Sequence, residues 1–269
     1  MKIGFFDSGL GGLTILRAAA QALPQYDYYY YGDTAHLPYG DKPESKIYEL
    51  SQVAMMHLFA HDCALVIIAC NTASAETLRR LQDEWLPANY PDRRILGVII
   101  PTIETLVEQE SRHALFLATK RTVDSQKYER ELALRGDATI SLTAVATPEL
   151  VPLIEAGEII VAADQAWSII QACSVPVDTV ILGCTHYTEL KEALRARITE
   201  QRVRGEQSLV RIISQDELIP QKLATYLTKH PEIVHRLTST GTRTIHLTAH
   251  RPDYDRIAAQ LLHGAFVGE

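Results

Sequence analysis

Two hydrophobic rhythms alternate along the chain. Short apolar runs, "KIGFF" at 2–6, "DYYYY" at 27–31, "ALVIIA" at 64–69 and "RILGVI" at 94–99, predict buried strands. Between and after them, "LTILRAAAQAL" at 13–23, "ESKIYELSQVAMMHLFAHD" at 44–62, "SAETLRRLQDEW" at 74–85 and "TIETLVEQE" at 102–110 carry the helical period. The second half repeats the alternation with "ALFLAT", a helix near 124–134, "ATISLTAV", helices near 149–172, "TVILG" and "TELKEALRARI". "LVRII", "ELIPQKLATYLTKH", "TIHLTA" and "DYDRIAAQLLHG" add two more strand–helix pairs, and the polar stretch "TEQRVRGEQ" at 199–207 reads as a linker. Such alternation means right-handed βαβ units and parallel sheets covered on both faces.

The pattern also repeats at long range. "ACNTAS" ends an apolar run on Cys70, and "VDTVILGCTH" ends another on Cys184, a shift of 184 − 70 = 114 residues. The strand ends at Asp7 and Thr119 differ by nearly the same amount, 119 − 7 = 112. The expected architecture is therefore α/β, with two pseudo-symmetric parallel-sheet α/β domains facing a central cleft. In open parallel sheets ligands bind beyond the strand C-termini, so the two cysteines are expected on opposite sides of one substrate.

Composition narrows the partner. The 269 residues are 46% apolar and 22% charged, with a formal charge of −7 and basic residues scattered rather than blocked. That gives no reason to expect a nucleic-acid or anionic-membrane surface. No run of eighteen apolar residues and no signal-type N-terminus is present, so no membrane span and a cytoplasmic location are expected. Four cysteines without a C-x-x-C spacing suggest reduced thiols and no metal site. The expected partner is a small molecule, and the sequence leaves a homodimer open.

Cys70 and Cys184 each stand at a predicted strand end before a helix, with Glu76 and Glu189 placed early in those helices. Free N–H groups and the helix dipole favour the thiolate there. A lone cysteine in such a place reads first as a small buried hydrophobe; a matched pair reads as chemistry. Cys63 and Cys173 lack the setting and read as structural. "FDSGLGG" puts Asp7 and Ser8 at the first strand end, where they could bind an amino group and orient an acid or base. Thr14 stands where a dinucleotide fingerprint needs glycine. "YGDTAHLPYG", with Asp33, Pro38, Tyr39 and Gly40, would pass for an ordinary turn on its own. His186 lies two residues after Cys184, close enough to polarise that thiol.

Taken together, "FDSGLGG", "YGDTAHLPYG", "ACNTAS", "LATKRTVDSQKY", "LVPLIEAG" and "LGCTHY" resemble, in order and across most of the chain, the glutamate racemases of the aspartate/glutamate racemase family. The resemblance implies an enzyme without cofactor that interconverts L- and D-glutamate for peptidoglycan synthesis. Cys70 and Cys184 would be its two bases, assisted by Asp7, Glu155 and His186. It implies a substrate pocket of Asp7, Ser8, Pro38, Tyr39, Gly40, Asn71, Thr72, Thr119, Thr122, Thr185 and His186. It also implies a discontinuous first domain, 1–97 plus 208–269, around a second at 98–207. The chain departs from the family pattern at His36, where arginine is frequent, at Thr147, where cysteine is common, at Thr188, where proline usually follows "THY", and at Ser214 in "ISQDEL", where an Asp-Ser pair is usual.

The chemistry fits these residues independently. Inverting an α-carbon takes a proton from one face and returns one to the other, which calls for two bases, one ionised and one protonated. The rival readings are a sister racemase or isomerase for aspartate or another small acid, a cysteine hydrolase using Cys184 and His186, and a two-lobed small-acid binding protein.

Overall fold

The computed structural model describes residues 1–135, 139–203 and 210–263. The chain begins β1 (Lys2–Asp7), α1 (Leu13–Ala22), β2 (Tyr28–Gly32), α2 (Glu44–Ala60), β3 (Cys63–Ile68), α3 (Asn71–Arg80), α4 (Leu86–Asn89), β4 (Arg94–Gly97) and α5 (Ile99–Glu108). It continues β5 (His113–Ala118), α6 (Lys120–Asp124), α7 (Lys127–Leu134), β6 (Ser141–Ala146), α8 (Leu150–Glu155), α9 (Ile159–Gln171), β7 (Thr179–Gly183), α10 (Lys191–Val203) and β8 (Arg211–Ser214). The last elements are α11 (Gln215–Lys229), α12 (Pro231–Val234), β9 (Arg243–Leu247) and α13 (Tyr254–Leu262). Among the described residues, no helix is long and apolar enough to cross a membrane.

Two sheets form, in the orders β4-β3-β1-β2-β9 and β6-β5-β7-β8, and every strand pairing in them is parallel. Read backwards, the second order is β8-β7-β5-β6, so β1 to β4 and β5 to β8 hold matching places. The long-range repeat in sequence is thus a repeat of topology, with β9 as an addition to the first sheet.

By contacts the chain divides into two units, residues 1–101 with 216–269, and residues 102–215. The expected boundaries at 97/98 and 207/208 move accordingly. The segment 208–215 was assigned from sequence to the first unit, yet β8 hydrogen-bonds with β7 and so belongs to the second. The first turn of α5, at the end of the "RILGVI" run, stays with the first unit.

The run of four tyrosines in β2 shows how local sequence becomes packing. All four are buried, and alternation sends them to opposite faces of the sheet. The Tyr28 hydroxyl donates to the carbonyls of Leu23 and Ala19 at the end of α1, and the Tyr30 hydroxyl donates to the Gly9 carbonyl at 2.8 Å. On the other face, Tyr29 Oη lies 3.1 Å from His57 Nε2 on α2, and Tyr31 stacks on His246 of β9. A buried tyrosine is stable when its hydroxyl has a partner, and those of Tyr28, Tyr29 and Tyr30 do.

The helix near 124–134 is α7, and a separate short helix, α6, precedes it, with Gln126 between them in a left-handed backbone of φ +50°. The helices near 149–172 meet at Gly157, whose φ of +82° admits no easy side chain. The expected linker at 199–207 is helical through Val203, because α10 runs to that residue; its remainder lies outside the described residues, as do Ala138, Leu209 and Gly264 at the ends of other predicted elements.

Three imidazoles form a column on the first unit: His57 stacks on His61 at 4.1 Å and on His246 at 4.4 Å between ring centres. Burial first, then the neighbouring His61 and His246, pull the His57 pKa down to about 4, against about 6.5 in an unfolded chain. A folded value below the unfolded one means that the unfolded chain binds the proton more readily. The stability this column lends is therefore present above pH ~6.5 and is lost as pH falls through about 4. The urea midpoint of the protein is expected to drop across that window, and His57→Gln is expected to flatten the drop; an unchanged slope in the variant would contradict this origin.

Candidate active site

In the first unit the loops after β1, β2 and β3 hold the candidate residues. Asp7, 1% exposed, ends β1, and its Oδ1 accepts from the Gly9 N–H at 2.8 Å. Ala69 N donates to Phe6 O at 2.8 Å, which sets the chain after β3 beside the end of β1. Cys70 is the N-cap of α3, with extended backbone and its Sγ accepting from Ala73 N at 3.4 Å. Sulfur here takes the place usually held by a serine or aspartate oxygen, so the first turn of the helix points the Ala73 N–H at the thiol. Ser8 Oγ lies 3.3 Å from the same Sγ. Asn71 and Thr72, both buried, begin α3 beside it.

The loop after β2 folds as two single 3-10 turns, 34–36 and 39–41. Tyr39 is buried and donates its hydroxyl to Asp33 at 2.7 Å, while Pro38 is exposed and Gly40 half-buried. Burial, then the negative charges of Asp33 and Cys70 among others, hold the Tyr39 phenol protonated far above its usual range. That places the ring within electrostatic reach of Cys70.

The second unit builds a counterpart with different parts. Thr119 follows β5 as N-cap of α6, and its Oγ1 lies 2.9 Å from that of the buried Thr122. β5 and β7 are neighbours with Ala118 opposite Gly183, so Thr119 and Cys184 leave adjacent strand ends. Cys184, Thr185 and His186 are all buried. No helix N–H caps the Cys184 thiol, which precedes a 3-10 turn at Thr185–Leu190 rather than an α-helix. Its neighbour is instead His186 Nδ1 at 4.0 Å, and Nε2 of the same ring sits 2.9 Å from Glu155 Oε1 in an ion pair not aligned as a hydrogen bond. Burial alone pulls the His186 pKa down, but the contacts with Cys184 and Glu155 override it and push it up to about 10. The ring therefore carries its proton at neutral pH.

Glu76 and Glu189 do not complement the helix starts as expected. Glu76 is the sixth residue of α3 and Glu189 lies late in the 3-10 turn, and neither first turn holds an acid. The four departures from the family pattern have definite places. His36 Nδ1 lies 2.8 Å from Asp33 Oδ1, Thr188 donates to the Thr185 carbonyl, and Ser214 is buried at the end of β8. Thr147 donates to Tyr187 Oη at 3.0 Å, while Tyr187 donates to the Thr147 carbonyl. Tyr187 and Tyr30 are the contributors that sequence reasoning missed; both look like ordinary core aromatics until their hydroxyls are located. Among the described residues, no group of three or more His, Cys, Asp or Glu side chains is arranged to hold a metal ion.

Two parallel α/β units, each delivering a cysteine at a strand end, suit proton transfer at a carbon centre, and residues 14–213 match the model of the family described as Asp/Glu/Hydantoin racemase. The chain belongs to that family, and it is an isomerase of the racemase class. Within the family it is similar to glutamate racemases. The one from Dinoroseobacter shibae is 38% identical over 248 residues, covering 87% of this chain and 86% of the relative. The solved glutamate racemase of Francisella tularensis, in complex with D-glutamate, matches with a TM-score of 0.80 at 25% identity, over 97% of this chain and 93% of that one. That of Escherichia coli, in complex with L-glutamate and the activator UDP-MurNAc-ala, matches with a TM-score of 0.73 at 26% identity, over 98% and 94%.

The His186 bridge is directly measurable. Its folded pKa lies above the unfolded ~6.5, so its contribution to stability is fully present below that pH and is lost as pH rises through about 10. Nitrogen NMR of the imidazole is expected to show the charged ring at pH 8, and Glu155→Gln to bring the midpoint down by roughly one to two units. A parent midpoint near the ordinary histidine value would contradict the bridge.

Proposed function

We propose that the protein interconverts L- and D-glutamate in the cytoplasm by proton transfer between two thiols, without a cofactor, and so supplies D-glutamate for peptidoglycan synthesis. The observation that carries this reading is the matched placement of Cys70 and Cys184 at equivalent strand ends of two topologically repeated sheets. The reading requires the two sulfurs to reach opposite faces of one α-carbon.

In the forward step a thiolate removes the α-proton, forming an S–H bond as the C–H pair moves into the substrate carboxylate. The opposite thiol then delivers its proton to the other face and is left as the thiolate. Each turnover thus exchanges the roles of the two cysteines. By family resemblance, Cys70 takes the proton from D-glutamate and Cys184 from L-glutamate. Asp7 and Ser8 serve the Cys70 side, and the protonated His186 with Glu155 serves the Cys184 side. The developing carboxylate charge suits the N–H and hydroxyl donors around Asn71, Thr72, Thr119, Thr122 and Thr185, with Pro38, Tyr39 and Gly40 closing the first-unit wall.

Incubation of either enantiomer in deuterated buffer, with no added cofactor, is expected to give an equal mixture with solvent deuterium at the α-carbon. Faster turnover of aspartate than of glutamate would reassign the substrate, and ester or amide hydrolysis that survives loss of Cys70 would reassign the reaction.

Cys70→Ser and Cys184→Ser are each expected to cut racemisation in both directions by at least about a thousandfold, since a hydroxyl is far too weak an acid to replace the thiol near neutral pH. Cys63→Ser is expected to remain active with reduced stability, because Cys63 is fully buried in β3 with its pKa pushed up to about 12, chiefly by that burial. Racemisation near the parent rate in a folded Cys70 or Cys184 variant would overturn the two-thiol mechanism.

A further inference from the structure

We propose that Tyr30 is a positioning residue for the Cys70 half of the site, acting through the turn that carries Ser8. This inference deepens the two-thiol reading and rests on it only in giving Cys70 a catalytic role.

The turn from Asp7 to Gly12 joins β1 to α1, and Ser8, whose hydroxyl meets the Cys70 sulfur at 3.3 Å, stands inside it. Both backbone groups of the next residue are held. The Gly9 N–H donates to Asp7 Oδ1 at 2.8 Å, and the Gly9 carbonyl accepts from Tyr30 Oη at 2.8 Å. The same phenolic oxygen lies against Gly12, where an added Cβ would come within 3.0 Å of it. One buried hydroxyl therefore stands between the middle of the turn, at Gly9, and its end.

The surroundings are shaped for this link. A side chain at Gly32 would come within 2.5 Å of the Gly9 carbonyl, and one at Gly12 within 2.7 Å of Asp7 Cβ and 3.0 Å of the Tyr30 hydroxyl. Both positions are occupied by hydrogen alone, which lets the carbonyl, the carboxylate and the phenol pack together. Burial first, then the charges of Asp7 and Cys70, hold the Tyr30 phenol protonated well above its usual range, so it remains a donor to Gly9 at any working pH. Tyr28, two residues earlier on the same face of β2, provides an internal comparison. It is equally buried, but its hydroxyl bonds to the far end of α1 rather than to the turn.

The test follows the two thiols rather than turnover. The full-length protein is treated with iodoacetamide across a pH series, and modification of Cys70 and Cys184 is followed peptide by peptide in the same samples. In Tyr30→Phe the Cys70 midpoint is expected to rise by about half to one pH unit, because the Ser8 hydroxyl is no longer held against the thiolate, while the Cys184 midpoint stays in place. Ser8→Ala is expected to produce the same rise, and the double variant no further one, as two residues acting in series require. Tyr28→Phe is expected to lower stability without moving either midpoint. Should Tyr30→Phe not fold, Gly32→Ala, which keeps the phenol but drives a methyl group against both the Gly9 carbonyl and the edge of the Tyr30 ring, is expected to shift the Cys70 midpoint in the same direction. An unmoved Cys70 midpoint in a folded variant, equal movement of both thiols, or additive shifts with Ser8→Ala would overturn the proposal. Glutamate racemisation is assayed separately on the parent protein. A moved Cys70 midpoint in a protein that does not racemise glutamate would leave Tyr30 its role and overturn the reaction instead.

Discussion

The structure depends on one constraint: in a parallel sheet every strand finishes at the same edge, and the chain must turn there into a helix whose first N–H groups lack partners. The edge is therefore both polar and donor-rich before any side chain is chosen. Placing Cys70 at the N-cap of α3 uses that property of the backbone, since Ala73 N–H points at the sulfur. Because the second sheet repeats the strand order of the first, it provides an equivalent edge, and Cys184 stands on it.

Equivalent topology has not produced equivalent surroundings. Around Cys70 the polarisation comes from peptide groups and a hydroxyl, which do not titrate in the working range. Around Cys184 it comes from an imidazolium held by a carboxylate, a charge lost only as pH rises through about 10. The two thiols thus stand in unlike electrostatics, one built into the helix and one built from side chains. In the two-thiol reaction proposed above, this difference would separate the two directions in their response to conditions while leaving the equilibrium untouched.

Much of this was legible in the sequence, because the strand-to-helix switch leaves a local signature: an apolar run that turns polar within two residues, as at "ACNTAS" and "LGCTHY". What was not legible depended on distant partners. Tyr30 sits among four tyrosines, and nothing in that run tells which hydroxyl reaches Gly9 and which reaches Leu23. Glu155 precedes His186 by 31 residues, and only family resemblance brought the two together. The membership of β8 was misread because an isolated apolar run fixes that a strand exists but not which neighbour it pairs with; the pairing with β7 decides it.

The place of β9 matters for how the chain is made. The second unit is continuous, residues 102–215, and is complete once that stretch has left the ribosome. The first unit is not, because β9 pairs with β2 and the Asp27 carboxylate before β2 accepts from the backbone N–H groups of Thr240 and Thr242 and from the Thr240 hydroxyl. During synthesis β2 waits for more than two hundred residues with an unpaired edge of tyrosines. Such an edge is a template for joining another chain. The arrival of β9 covers that edge.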